Sequence, residues 1–362
     1  MTNSSYDGID LFAGAGGLSY GLSCAGFNVK VGIEIDPHCA DTISKNHKNM
    51  KVIVSDVRSV EPRKVMEHAN VKRGDLTILA GGPPCRGFSQ SNRRTRNLNN
   101  PLNALYQDFF AFVKAIRPRV FLLENVKGLK TLQNGTVLNR ILKLGRRLGY
   151  HVQWSILNAE DFGVPQRRKR IIFIGTSEKT ETLFEPEKKK SVTVREAIDD
   201  LPILENGNRE DSLKYSRMQD LSHYQTLMRQ NNGAEVSNNL VTRNNELVIA
   251  RYKHIRPGRN WAAIPSELMS NYKNLDNCHR WIYYRLKWDE PSIVISNFRK
   301  NMLIHPEQDR GLSVREAARL QSFPDDYIFY GPLSAQQQQI ANAVPPFLGK
   351  GLGDNIKRMV ED

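Results

Sequence analysis

Cysteine is scarce in this chain: four residues in 362, namely Cys24, Cys39, Cys85 and Cys278. None forms a CxxC pair and no paired-histidine pattern accompanies them, which argues against a structural zinc site, and no metal is expected. Such scattered thiols fit a reducing compartment better than a secreted disulfide framework. The opening MTNSSYDGID lacks the basic start and apolar core of a secretory signal. No apolar run approaches the roughly 18 residues of a membrane span. These absences predict a soluble, cytoplasmic protein with no membrane partner.

Positive charge is not scarce. Lys and Arg total 52 against 38 Asp and Glu, a formal net charge of +14. The excess raises the attraction for polyanions, nucleic acid first among them. On charge alone, an ordinary basic enzyme is an equally open reading. At 40% hydrophobic and 25% charged residues the composition is otherwise that of a globular chain.

Through the first half, short apolar runs alternate with amphipathic stretches. Strands are predicted at 8–12, 29–34, 51–54, 76–80 and 120–124, and helices at 18–25, 37–46, 105–116 and 137–148. That alternation predicts an α/β fold, a doubly wound, mostly parallel sheet covered on both faces, and the runs 152–157 and 171–175 extend it. From about residue 179 charge, Asn and broken apolar runs take over, with Lys188-Lys189-Lys190 as an exposed junction. A first domain over 1–178 and a smaller, irregular one over 179–311 are expected. Regular signals return in 312–362: a helical pattern over 313–321 with Arg315 and Arg319 one turn apart, then a largely helical run over 336–357 interrupted by Pro345-Pro346.

In open parallel sheets, ligands bind beyond the carboxyl ends of the strands. The first predicted strand ends in Asp10-Leu11-Phe12-Ala13-Gly14-Ala15-Gly16-Gly17-Leu18, whose glycines let the backbone turn sharply and approach a ligand before a helix N-terminus. Ser19 stands where a GxGxxG fingerprint needs its last glycine, which disfavours a nicotinamide dinucleotide; a plain strand-to-helix turn would use the same glycines. The second strand delivers Glu34-Ile35-Asp36, about 20 residues on and suited to ribose hydroxyls. Asp56-Val57, past the third, is placed to meet an adenine amine. Each acidic group could equally cap the helix that follows.

The fourth strand runs into Gly81-Gly82-Pro83-Pro84-Cys85-Arg86-Gly87-Phe88-Ser89-Gln90. Two prolines take the chain out of the sheet and stiffen the approach to Cys85. A lone cysteine is usually an inert core residue, but the proline before it and Arg86 after it, with Arg93, Arg94 and Arg96 downstream, favour a reactive thiolate. The fifth strand delivers Glu124-Asn125. A carboxylate there is either kept protonated or shared with a partner, as general acids require, or simply reaches solvent. In Gln166-Arg167-Arg168-Lys169-Arg170, strand alternation points Arg168 and Arg170 toward one anionic or carbonyl target; a solvated basic face is the plainer alternative.

In order and over nearly the whole chain, these residues resemble the motifs of the DNA cytosine-5 methyltransferase family, prokaryotic modification-methylase type. Phe12, Gly14 and Gly16 are similar to its cofactor motif, Pro83-Pro84-Cys85 to its catalytic loop, and Glu124-Asn125-Val126 to its ENV motif. Gln166, Arg168 and Arg170 match its QxRxR pattern. The run from Arg315 to Pro324 resembles the helix that organises its recognition domain. Asn342, Val344 and Pro345 resemble a C-terminal segment that returns to the cofactor pocket. Two residues depart from the pattern: Arg86, where the family usually has Gln, and Ala341, where it tends to have Gly.

The resemblance implies the S-adenosylmethionine-dependent methyltransferase fold. It implies S-adenosylmethionine as cofactor, held by Phe12, Gly14, Gly16, Gly17, Leu18, Glu34, Ile35, Asp56, Val57, Pro83, Asn342 and Val344. Cys85 is the implied nucleophile on a cytosine flipped out of duplex DNA, and Glu124 supports protonation at ring nitrogen 3. Arg170 is implied on the base carbonyl and Arg168 behind the loop or on a phosphate. Arg86, Ser89, Gln90, Asn125 and Gln166 are implied toward DNA, with 179–311 as target-recognition domain and 312–362 as its organising helix and returning segment. Double-stranded DNA is the implied substrate, a monomer the expected state, and a restriction endonuclease acting on the same site the expected counterpart. Three classes compete. Gly87-Phe88-Ser89 argues against a transfer-RNA enzyme, retained Cys85, Glu124 and Arg170 against a silent DNA-binding relative, and the Gly16–Ser19 spacing against an oxidoreductase.

Overall fold

Seven short strands among the described residues meet in one sheet. In the computed structural model, which describes residues 6–84, 104–230, 232–272 and 279–362, they are β1 (Asp7–Leu11), β2 (Asn28–Glu34), β3 (Lys51–Val54), β4 (Ile78–Gly81), β5 (Val120–Val126), β6 (His151–Asn158) and β7 (Lys169–Thr176). Their order is β3-β2-β1-β4-β5-β7-β6. Strands β1 to β5 pair in parallel, whereas β7 runs antiparallel to both β5 and β6. A parallel neighbour needs a crossover helix, and β6 reaches β7 through ten residues without one, so the last pair reverses. The order changes direction at the β1–β4 pair, the switch point beyond which such sheets bind ligands.

Helices α1 (Gly17–Cys24), α2 (Pro37–Asn46), α3 (Pro62–Ala69), α4 (Leu105–Ile116) and α5 (Thr136–Arg147) connect these strands. Alternation along β1 and β5 sends Ile9, Leu11, Phe121 and Leu123 into a core with Val65, Phe109, Val113 and Ile141. Phe109, Phe110 and Tyr150 meet the Phe121 ring edge-on at 5.2–6.2 Å. On the other face α1 crosses the C-terminal helix (Pro346–Glu361) at backbone contact. A Cβ on Gly21 would stand 2.3 Å from the Pro346 carbonyl oxygen and 2.7 Å from Gly349 Cα.

The chain divides into two compact units, and the sheet lies in the first: 1–162, 169–189 and 344–362. The second comprises 163–168 and 190–343. The division thus falls at 163 and 190 rather than near 179, and 312–343 goes with the second unit. That unit holds α6 (Val194–Ile198), α7 (His223–Arg229), α8 (Glu246–Lys253), α9 (Phe298–Asn301), α10 (Val314–Leu320), α11 (Leu333–Asn342) and the ribbon β8 (Leu213–Lys214) with β9 (Glu235–Val236).

With so little regular structure, its backbone carbonyls need side-chain donors, and buried arginines supply them. Arg315 donates to the carbonyls of Ser237, Pro324 and Tyr327. Arg319 donates to Ala197 O and pairs with Asp325 and Asp200. Capping boxes at Thr193/Glu196, Ser222/Gln225 and Ser313/Glu316 start α6, α7 and α10. Among the described residues no helix is long and apolar enough to cross a membrane, and no His, Cys, Asp and Glu side chains gather to hold a metal.

Candidate active site

Beyond β1 the backbone turns through left-handed conformations at Phe12 (φ 63), Gly14 (φ 58) and Gly16 (φ 79). Phe12 carries a side chain in a region that glycine tolerates far better. Gly16 caps α1 with no side chain over its first amides, Gly17 opens the helix and Leu18 is buried behind it. A Cβ added to Gly14 would meet nothing within 4 Å, so space is open over the turn.

Glu34 closes that turn from the end of β2. Its Oε2 accepts from Gly14 N at 2.8 Å, and its Oε1 from Ile35 N at 2.9 Å and Asp36 N at 2.8 Å. Burial raises the Glu34 pKa, opposed by these three amides. Next to it Ile35 stands 63% exposed, a large apolar side chain held in solvent. Asp36 caps α2 through His38 N and Cys39 N. Asp56 likewise caps the single turn Val57–Ser59 and pairs with Arg58 at 2.6 Å; the Arg58 guanidinium and amide hold its carboxyl below the usual range. Val57 is buried in the core.

One pair was not singled out from the sequence. The Ser19 hydroxyl donates to Asp10 Oδ2 at 2.5 Å, while Asp10 Oδ1 finds no hydrogen-bond partner among the described residues. Burial pushes the Asp10 pKa up to about 7. The available signal was a carboxylate inside an apolar strand, one turn of chain before the glycines.

Register brings the next two strand ends beside this turn. Gly81 lies opposite Leu11 on one side and Leu123 on the other. A Cβ on Gly82 would stand 3.1 Å from Glu124 Oε2, another position the sequence reading passed over. Glu124, almost buried, accepts Arg170 Nε at 2.8 Å on its other oxygen. Arg170 faces Val126 across the β5–β7 ladder, so the two side chains form a diagonal pair on one face. The carboxylate is therefore shared with a partner rather than left to solvent.

Asn125, expected toward DNA, is instead buried. Its Nδ2 donates to Pro83 O at 3.2 Å and its Oδ1 accepts from Val126 N at 2.9 Å, so its amide braces the loop. Pro83 is buried two residues before Cys85. Cys85, Arg86, Ser89 and Gln90 lie outside the described residues.

Arg168 and Arg170 do not share a target. Arg168 precedes β7, belongs to the second unit and is buried there, donating to Ile295 O at 2.9 Å, Ala341 O at 3.1 Å and Ala343 O at 3.0 Å. Gln166, expected toward DNA, is also corrected. It is fully buried, donating to Leu320 O and Gln321 Oε1 and accepting from Ile295 N, because it replaces backbone pairing in an irregular segment. Asn342 is exposed at the end of α11, where its Oδ1 accepts from Gln338 Nε2 at 2.8 Å; Val344 is half-buried in the first unit.

Comparison with known proteins assigns the chain to a family. The family model for C-5 cytosine-specific DNA methylase matches residues 6–358. Type II methyltransferase M1.HphI of Haemophilus parahaemolyticus is 35% identical over 353 residues, covering 97% of this chain and 86% of that protein. Type II methyltransferase M.DdeI of Desulfomicrobium norvegicum is 34% identical over 378 aligned positions, covering 98% of this chain and 89% of that one. The crystal structure of an E. coli prophage protein assigned as a DNA modification methyltransferase superposes with a TM-score of 0.79 at 26% identity, covering 99% of this chain and 100% of that chain. The chain belongs to the C-5 cytosine-specific DNA methylase family and is a DNA (cytosine-5-)-methyltransferase.

Proposed function

We propose that this enzyme methylates a cytosine flipped out of duplex DNA, with Cys85 as covalent nucleophile and S-adenosylmethionine as methyl donor. One observation carries the reading: the Glu124–Arg170 pair stands beside the backbone that leads to Cys85. Gly82 leaves room for the carboxylate, and Asn125 holds Pro83, two residues before the thiol.

S-adenosylmethionine, when bound, supplies an electrophilic methyl group on a sulfonium. The residues at the strand ends fit it: open space over Gly14, a carboxylate at Glu34 for ribose hydroxyls and an apolar surface at Ile35 for a purine. Phe12, Gly16, Gly17, Leu18, Asp56, Val57, Pro83, Asn342 and Val344 complete the proposed set.

Carbon 5 of cytosine is a poor nucleophile by itself. Addition of the Cys85 thiolate to carbon 6 moves electron density to carbon 5. Glu124 holds ring nitrogen 3 and the exocyclic amine, and supporting a proton on that nitrogen makes the addition easier. Arg170 orients the carboxylate and donates to the base carbonyl. Arg168 acts at a distance, as a positioning residue for the segment around Asn342. Loss of the carbon 5 proton to a base and departure of Cys85 restore the ring.

Stacking covers the two faces of the ring, from which the thiolate and the methyl donor must approach, so the nucleotide is extruded at a cost of about a few kcal/mol. Arg86, Ser89 and Gln90 face the DNA in this reading, and the second unit supplies target recognition. The relatives named Type II methyltransferases support a modification role, with a restriction endonuclease acting on the same site as counterpart. The working enzyme is a cytoplasmic monomer.

Labelled S-adenosylmethionine offered with unmethylated genomic DNA, and with transfer RNA in parallel, tests the reading by nucleoside mass spectrometry. Methylated cytosine in the DNA alone is expected. Label in the RNA alone would reassign the substrate.

A further inference from the structure

Between Glu246 and Glu267 the chain carries no acidic residue but five basic ones: Arg251, Lys253, His254, Arg256 and Arg259. Arg251 is buried, donating to Leu268 O and the Tyr283 hydroxyl. The other four are exposed, and none of their side chains has a hydrogen-bond or ion-pair partner among the described residues. His254, Arg256, Arg259 and Asn260, with Ala262 and Ala263, line a cleft of about 400 Å³ with no carboxylate among the described residues that line it.

The turn that presents these side chains is built, not loose. Arg259 N donates to Arg256 O at 2.9 Å across Pro257-Gly258. Gly258 N donates to Arg285 O at 2.9 Å, and Arg285 N to Arg259 O at 3.1 Å, clamping the turn to one residue from both sides. Arg285 is itself buried. Its guanidinium donates to Tyr252 O at 2.8 Å in the last turn of α8, to Ile255 O at 2.5 Å just beyond that helix, and to His305 O, Gln308 O and Asp309. Gly258 has φ 78, and a Cβ there would stand 2.5 Å from Lys287 Cε, so the turn requires glycine. Beneath it Val248, Tyr252, Ile255, Ile264 and Tyr283 form a separate small core.

We propose that this turn is a phosphodiester anchor. Arg256 and Arg259, with Lys253 and His254 at the margin, bind the backbone of duplex DNA and set the enzyme's register on it without reading bases. The proposal rests on the DNA reading under Proposed function. Two guanidiniums offer planar forks of donors matched to phosphate oxygens. A rigid mount lowers the ordering cost of using them. Backbone contacts of this kind supply affinity and salt dependence but carry no sequence information.

The test uses the full-length protein, a duplex carrying the site found by bisulfite sequencing of the product, and a duplex lacking it. Affinity is measured from about 50 to 200 mM salt for wild type, R256A/R259A and R256K/R259K. The alanine pair is expected to weaken both duplexes by one common factor, roughly tenfold or more, with a salt slope shallower by about 2. The lysine pair recovers the slope, and a wild-type melting temperature for the alanine pair separates this from unfolding. Unchanged affinity and slope overturn the anchor. So does a loss confined to the site-bearing duplex, or a relaxed methylation site, since either makes these residues base readers. Wild-type protein that transfers no methyl group to DNA defeats the underlying functional reading, whatever the arginines do.

Discussion

Arg170 Nε lies 2.8 Å from Glu124 Oε1, across two antiparallel strands whose register makes the residues diagonal neighbours. Both side chains are mostly buried, at 12% and 11% exposure, so each depends on the other. Glu124→Gln is expected to lower kcat by roughly 10²–10⁴-fold, and to cost less stability than loss of the whole partner, because its amide oxygen still accepts from Arg170 although the charge is gone. Arg170→Ala leaves the carboxylate unpaired and costs about 3 kcal/mol or more in urea unfolding, with kcat reduced as well. Wild-type kcat in the Glu124→Gln enzyme would remove the residue from the chemistry.

Cys85→Ser is expected to abolish methyl transfer while calorimetry shows nearly unchanged cofactor affinity. DNA with 5-fluorocytosine at the target should trap the wild-type enzyme covalently, because carbon 5 then has no proton to lose. Failure to trap, or substantial turnover by the serine enzyme, refutes the nucleophile.

Glu34 holds three amides, those of Gly14, Ile35 and Asp36. Glu34→Ala releases the glycine turn and removes the ribose acceptor. Losing one charge-assisted bond of this kind weakens cofactor binding by roughly 10- to 100-fold. Titration calorimetry reads this directly, and an unchanged dissociation constant rules the assignment out.

Gly82→Ala places a Cβ 3.1 Å from Glu124 Oε2. The carboxylate must then shift by some tenths of an ångström, which should cost activity by clearly less than the about 10²-fold that a displacement of about 1 Å can cost. The melting temperature should hardly move. A Gly82→Ala enzyme with full kcat would show that Glu124 need not sit where it does.

Acid should destabilise the second unit. Burial lowers the His305 pKa to about 4 from 6.5. Burial alone would raise that of Glu316, but the Arg310 guanidinium outweighs it and holds the carboxyl at about 2 against 4.5. Both folded values lie below the unfolded ones, so the unfolded chain binds more protons in each window and stability falls as the pH is lowered. The His305 contribution is lost from about 6.5 down to 4, and that of Glu316 from 4.5 down to 2. Asp10 has the opposite sign, since its folded pKa of about 7 exceeds 3.8. Urea unfolding across this range, with His305→Gln as comparison, checks the slope: the variant should be flatter between pH 6.5 and 4.

Local pattern made much of the first unit legible. Short apolar runs gave β1 to β5 within a residue or two, and the glycines after Phe12 do turn the chain over open space. Helix α3 was not singled out, and the reversed direction of β7 follows from pairing with β5, which a single strand does not encode. The Gly82 contact is invisible for the same reason: it depends on a side chain 42 positions away, at Glu124.

The sequence by itself determined which chemistry was available: a proline-led cysteine, a carboxylate and arginines in a family order, and an excess of positive charge. Tertiary structure decided where that charge goes. Arg168, Arg229, Arg251, Arg285, Arg310, Arg315 and Arg319 are all buried, tied to carbonyls and carboxylates inside the second unit, whereas Arg256 and Arg259 face solvent on a braced turn. A net charge counts both kinds alike. A guanidinium points inward only where distant backbone leaves carbonyls needing donors, as residues 295, 341 and 343 do for Arg168, and only the folded chain brings those together.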